Sequence, residues 1–214
     1  MALVALERVA ELLVSRRNAA RLRARGAVEA GRGHYPVMVA FHAALLAACL
    51  AEPALLLAEW PWAAALPAAA LVALAQALRW WVIRTLGERW TTEVLVPPGA
   101  PPVRAGPYRW LRHPNYLAVA VEVAALPLAA GAWRTAIAAT LGNALLLAVR
   151  IRAEERALGA AWREAFEGVP RLVPTPHHPL ALRPSTPAHG LRSGQAESKG
   201  ERERATAAGP RSEP

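Results

Sequence analysis

Two polar clusters flank apolar stretches of this chain, and together they offer an anion site and a cation site. The first, Arg112 and His113, directly precedes Pro114, which suits the first position of a helix because proline lacks the N–H that would be unpaired there. Backbone N–H groups and the positive end of the helix dipole favour a carboxylate or phosphate at such a position. The second, Glu154 and Glu155, stands at the predicted end of the next apolar helix. A zwitterionic ligand, such as an amino acid moiety, needs both signs.

Each cluster also has a purely structural interpretation. Basic residues before an apolar helix can extend to lipid headgroups. Glu154 and Glu155 can pair along one helix with Arg150 and Arg152, which stand four and three residues away. Taken alone, the acidic pair favours this pairing, but the Arg112–His113 cluster beside it favours a ligand site.

Glu122 is a separate candidate for chemistry within the same predicted helix as Pro114. It lies about two turns from the helix start, on one face with Asn115 and Ala118. A carboxylate at membrane depth is costly and is expected to face protein or a water-filled cavity, so it is a candidate catalytic group. The structural alternative is a hydrogen bond to a neighbouring helix, with Asn143 as the partner.

The elements that position these residues belong to a small polytopic membrane protein. The 214 residues are 54% hydrophobic, yet the chain carries a formal charge of +9. Arginines flank the apolar runs, where they act as topology signals, so we expect no nucleic-acid partner. We expect an all-α membrane bundle over residues 1–175 and a disordered cytoplasmic tail over 176–214. No metal site is expected, since His177 and His178 lack partner ligands at a usable spacing.

Apolar length predicts four to five transmembrane helices. Four lie at about 36–58, 62–83, 114–130 and 133–149. The fifth segment, 2–13, is too short to cross a core about 30 Å thick at about 1.5 Å per residue, so a short tilted helix or an interfacial one stays open. Basic connections at 16–25 and 84–113 predict that these segments and the C-terminus face the cytoplasm, in an inner (cytoplasmic) membrane.

The first connection adds a third polar set that would line a substrate entrance. Its members are Asn18, Arg25, Glu29, His34 and Tyr35. A solvated basic loop is an equally good interpretation of each.

Taken in order, these motifs resemble the isoprenylcysteine carboxyl methyltransferase family. They are G-P-Y-R at 106–109, R-H-P-N-Y at 112–116, E-E at 154–155 and V-P-R-L-V-P at 169–174, preceded by L-G-E-R-W-T-T at 86–92. The ordered combination is specific and covers about 80–174, whereas any one piece would be weak. The pattern at 18–35 looks like a bacterial branch, some members of which O-methylate alkylpyrone-like products of type III polyketide pathways.

The resemblance implies an integral-membrane O-methyltransferase that uses S-adenosylmethionine, with a cytoplasmic cofactor pocket formed by the C-terminal half. Carried over, the cofactor-binding residues are Gly106, Tyr108, Arg112, His113, Tyr116, Glu154 and Glu155. The catalytic candidates are Arg112, Glu122 and Arg150, with one of the two arginines orienting the acceptor anion. The expected acceptor is lipophilic, either an isoprenylcysteine-type carboxylate or an alkylpyrone-type enol.

Two other function classes stay open. A membrane sterol-reductase-like enzyme using NADPH would share the C-terminal architecture, but the acidic pair and the small size favour the methyltransferase. A small non-enzymatic transporter would suit Glu122 and His42 as proton carriers, but the sequence has no inverted repeats and no glycine-broken helix pair. The acceptor and the oligomeric state are not set by the sequence.

Overall fold

In the computed structural model, which describes residues 2–56 and 60–173, five α-helices form most of the chain. They are α1 Ala2–Ala24, α2 Tyr35–Leu56, α3 Trp62–Leu86, α4 Pro114–Ala129 and α5 Trp133–Ala165. The only sheet in this described part is an antiparallel ribbon of β1 Val28–Ala30 with β2 Val94–Val96. The all-α prediction is confirmed. The predicted tail at 176–214, with His177 and His178, lies outside the described residues.

Three helices, α2, α3 and α5, are long and apolar enough to cross a membrane. The predicted fourth span forms α4, which has 16 residues and measures about 24 Å, less than a core about 30 Å thick. It packs against α3 and α5, and these longer neighbours flank it. The predicted polytopic membrane bundle is therefore confirmed, with one short member.

The first helix is much longer than its apolar run predicted. We expected helix to residue 13 and a loop over 16–25, which is wrong because α1 continues to Ala24. Most of its buried side chains recur every three or four residues, which marks one helix face, and they are Val4, Glu11, Ser15, Asn18, Ala19 and Leu22. Three of these six are polar, so hydropathy alone did not reveal the packed face.

The two basic segments, 16–25 and 84–113, meet at one end of the bundle, as the charge pattern predicted. The β1–β2 ribbon joins them, and Asn18 Nδ2 on α1 donates to the carbonyls of Gly87 at 3.1 Å and Trp90 at 2.8 Å. Glu88 pairs with Arg21 at 2.8 Å and with Arg25 at 3.0 Å. These contacts fix α1 to the segment that follows α3.

At the opposite end, α2 holds the start of α5. Glu52 accepts hydrogen bonds from the backbone N–H of Arg134 at 3.0 Å and of Thr135 at 2.7 Å, and from the Thr135 hydroxyl at 2.6 Å. A carboxylate suits a helix N-terminus because it pairs the first N–H groups and opposes the helix dipole. The α4–α5 turn beside it passes through Gly131 with φ 80°.

Candidate active site

The start of α4 is covered by the C-terminal segment. His113 precedes the helix and Pro114 takes its first position, as predicted. The backbone N–H groups of Arg112 and His113 donate to the carbonyls of Pro170 at 2.9 Å and Arg171 at 3.0 Å. These two N–H groups are therefore paired within the protein, which differs from the open anion site that the sequence predicted.

His113 and Glu155 meet as the two-cluster prediction required. His113 Nε2 lies 3.1 Å from Glu155 Oε1, and Arg171 donates to both oxygens of Glu155 at 2.9 and 2.7 Å. Such a two-pronged pair is strong and directional. The hydrogen bonds that Arg171 makes with Glu155, together with the negative charge of Glu155, raise the pKa of Arg171. Glu155 thus joins α4, α5 and the segment after α5.

A second chain of contacts lies beside it. The Tyr116 hydroxyl donates to Glu154 and accepts from Arg150 Nε at 2.8 Å. Arg150 also donates to the carbonyl of Thr92 at 2.5 Å, and it is only 5% exposed. Its Nη1 also donates to Met38 Sδ at 3.2 Å, so this buried guanidinium has partners on three other segments and a fixed orientation.

This chain borders a small polar cavity of about 90 Å³. Residues 86–96 form one wall, and the other walls include Tyr108, His113, Tyr116, Arg150 and Glu154. Removal from water, reinforced by the charge of Glu154, raises the pKa of Tyr108. Tyr108 is therefore a neutral hydroxyl at physiological pH and can donate a hydrogen bond.

A larger cavity of about 280 Å³ lies between the helices. Its wall is mostly apolar and includes Leu12, Met38, Val39, Val119 and Leu147. We call the cavity of about 90 Å³ the polar cavity and the cavity of about 280 Å³ the apolar cavity.

The two cavities share one wall. The residues that line both are Trp90, Thr91, Asn115, Tyr116 and Arg150. Within the described part of the chain, Trp90 Nε1 and Asn115 Oδ1 are buried without a hydrogen-bond partner. Because buried polar atoms in proteins are nearly always paired, this donor and this acceptor mark a place for ligand atoms.

Several predicted site residues lie outside both cavity walls. Arg112 Nε donates to the carbonyl of Val169 at 2.5 Å, and Gly106, with φ 52°, packs against Thr85 and Trp81. These two residues position the loop before α4 and the segment after α5.

Glu122 is buried in an ion network and not beside the Arg112–His113 cluster. It pairs with Arg8 of α1 at 2.7 Å and with Arg79 of α3. The prediction that Glu122 bonds to Asn143 is wrong, because these two arginines supply opposite charge and occupy both carboxylate oxygens.

Of the predicted substrate set, Tyr35 reaches the apolar cavity, and its hydroxyl lies 3.1 Å from that of Thr92. Asn18 and Arg25 make the contacts given above, and Glu29 pairs with Arg32 at 3.1 Å. The side chain of His34 lies outside the described residues. Sequence reasoning missed the lining role of Trp90, although the L-G-E-R-W-T-T segment drew attention to it.

The sequence model of the Isoprenylcysteine carboxyl methyltransferase (ICMT) family matches residues 68–160. That stretch contains every residue that lines the polar cavity. The chain belongs to the ICMT family. Membership implies a methyltransferase, and the apolar helices make this ICMT-family protein a membrane protein.

Two bacterial relatives of this ICMT-family protein span most of it. The uncharacterized protein YpbQ of Bacillus subtilis is 39% identical over 158 residues, which are 74% of this chain and 94% of that protein. An uncharacterized protein of Haemophilus influenzae is 30% identical over 148 residues, 69% of this chain and 86% of that protein. Both alignments are longer than the family match, so the similarity extends beyond it.

Proposed function

We propose that this protein is an S-adenosylmethionine-dependent O-methyltransferase of a lipophilic, acidic acceptor in the cytoplasmic membrane. The single observation that carries the proposal is the wall shared by the polar and apolar cavities. A polar methyl donor and an apolar acceptor would meet there, while each is held in a cavity of its own character.

The polar cavity has donors and acceptors that fit S-adenosylmethionine. Glu154 would pair with the ammonium group, and Tyr108, Trp90 and Asn115 add hydrogen-bonding atoms around it. When bound, this cofactor supplies an electrophilic methyl group on a sulfonium. The residues that line the polar cavity include Glu154 and not Glu155, so we assign the ammonium contact to Glu154 and a bracing role to Glu155.

The size of the polar cavity requires movement on binding. Sites for ligands of this size usually measure about 300–1,000 Å³, whereas this cavity measures about 90 Å³. We expect this movement near Leu158, which lines the cavity, because the backbone leaves helical geometry at the next residue, Gly159, with φ 78° and ψ −165°.

Arg150 would orient the acceptor. Its guanidinium lies in the shared wall and would hold an acceptor oxygen in its anionic form, facing the polar cavity. Once the nucleophile is anionic, little acid–base help is needed, and the protein contributes by positioning and by excluding water.

The decisive test is cofactor binding by purified protein in detergent. We expect calorimetry with S-adenosylhomocysteine to give a dissociation constant at least about tenfold weaker for Glu154→Gln, because a charged hydrogen bond is lost. Glu164→Gln, an exposed glutamate on the same helix, is the control and should bind like the wild type. Equal affinity in both variants would remove the basis for the assignment of Glu154.

A thermal-shift comparison distinguishes the proposed methyltransferase from the alternative, an NADPH-dependent reductase. Stabilisation by S-adenosylmethionine and not by NADPH is the expected result. The reverse pattern would overturn the proposed chemistry.

A further inference from the structure

The apolar cavity contains a second polar region formed by α2 and α5. Asn143 on α5 lines this cavity and is only 4% exposed. No side-chain hydrogen bond joins it to another described residue. An amide buried in a membrane-spanning helix normally bonds a neighbouring helix, so an unpaired amide that borders a cavity indicates a ligand group.

His42 on α2 lines the same cavity and provides an acceptor. Its Nδ1 lies 2.8 Å from the carbonyl of Met38. Because a carbonyl can only accept, Nδ1 carries the proton, and in the neutral ring Nε2 is left with a free lone pair.

The helical positions of these two residues set their depth. Asn143 stands seven residues from Arg150 on α5, and His42 stands seven residues from Tyr35 on α2, so each lies about 10 Å deeper along its helix. Arg150 and Tyr35 both line the cavity. Phe41 on α2 packs against Gly142 on α5, so the next residues along the two helices, His42 and Asn143, lie at one level of the bundle.

The charges near this region favour a neutral ligand group. Arg8, Glu11 and Arg79 also line the cavity, but Arg8 pairs with Glu11 at 2.5 Å and both arginines pair with Glu122. Both arginines are thus paired with carboxylates, and Glu7 beside them accepts hydrogen bonds from Gln76 and Trp80, so neither arginine is left without a partner for an anionic ligand.

Resting on the proposed function, we propose that Asn143 and His42 form a subsite for a hydroxyl group on the acceptor's chain, about 10 Å from the oxygen at Arg150. A hydroxyl fits both partners, since it donates to His42 Nε2 and accepts from the Asn143 amide. The subsite selects hydroxylated acyl or alkyl chains over plain ones. An apolar cavity alone would favour the plain chain.

The test uses two long-chain fatty acids of equal length as probes. One is plain, and the other carries a hydroxyl roughly 10 Å from its carboxylate. Their dissociation constants are measured by quenching of tryptophan fluorescence in detergent. We expect the wild type to bind the hydroxylated acid about five- to tenfold more tightly, the worth of one net hydrogen bond.

Asn143→Leu and, independently, His42→Phe should remove this preference and leave the affinity for the plain acid unchanged. Thr140→Val is the matched control, because Thr140 is exposed one turn away on α5 and bonds its own helix at Ala136. It should keep the wild-type preference. Thermal unfolding confirms that each variant is folded, and either of the first two suffices for the test.

Three results would overturn the inference: equal binding of both acids by the wild type, a preference that survives both cavity substitutions, or no binding of either acid. Binding of S-adenosylhomocysteine is measured separately on the same samples. Its loss would contradict the proposed function while leaving the hydroxyl preference as measured, so the two failures are distinguishable.

Discussion

Arg150 is one of the five residues that line both cavities. The sequence predicted it as an alternative to Arg112 for orienting the acceptor, and the structure separates the two by their partners. Arg112 bonds the backbone of Val169, whereas Arg150 contacts Tyr116 and Thr92 in the shared wall. No spacing rule distinguishes two arginines near helix ends, so this difference came only from the tertiary structure.

Arg150→Lys should lower the rate of methyl transfer about 100-fold, or about 2.7 kcal/mol in activation free energy. A lysine keeps the charge but cannot reproduce the planar fork that reaches Tyr116 and Thr92 together. Radiolabelled methyl transfer measures this, with the exposed Arg163→Lys as control. A rate within twofold of the wild type would argue against a positioning role.

We expect Glu122, which the sequence offers as a catalytic candidate, to act through stability, because Arg8 and Arg79 occupy its carboxylate. Glu122→Gln should lower the free energy of unfolding by on the order of 3 kcal/mol, since it leaves Arg8 and Arg79 without their shared carboxylate. Thermal unfolding in detergent measures this, and Glu88→Gln at an exposed pair should change stability little. Loss of methyl transfer by a folded Glu122→Gln protein of unchanged stability would instead support a catalytic role for Glu122.

At the scale of elements, α5 differs most from its prediction. The sequence predicted a span that ends at residue 149 and a helix that ends at Glu154 and Glu155, whereas the helix continues to Ala165, with a break at Gly159. The polar turns hold together because Ile151 and Trp162 are buried beneath them. A search by apolar length stops before these turns, because charged residues separate Ile151 from Trp162.

Gly159→Ala should destabilise the protein by about 1–3 kcal/mol, because φ 78° with ψ −165° is a backbone conformation that residues with a Cβ rarely adopt. No atom lies near the added methyl group, so the cost comes from the backbone alone. Gly33→Ala, which also meets open space but lacks a positive φ, is the control. Equal melting temperatures for the two variants would refute the assignment of strain.

At the scale of the whole molecule, the arginine distribution predicts the orientation in the membrane. In a Cys49→Ser background, Pro101→Cys should react with an impermeant maleimide only from the cytoplasmic side, and Arg134→Cys only from the opposite side. Both positions are exposed, and Cys49 is the single native cysteine. Labelling of right-side-out and inverted vesicles measures this, and a reversed pattern would invert the topology.

The sequence predicted the helices of the bundle and the motif residues His113, Tyr116 and Glu154 that line the polar cavity. It did not predict the shared wall, because Trp90 and Asn115 lie in different segments, and the segment with Trp90 is held by tertiary hydrogen bonds from Asn18 of α1. These contacts come from buried polar side chains such as Asn18, and a scale that counts apolar residues does not detect them.

Glu52 has a mechanical consequence for the bundle. Its carboxylate binds the first turn of α5 at one end, while His113 and Arg171 bind Glu155 near the other end. A helix that is held at two distant points cannot slide along its own axis. We therefore expect the polar cavity to open by movements other than sliding of α5, so that the residues of the apolar cavity on α5 keep their register during a turnover.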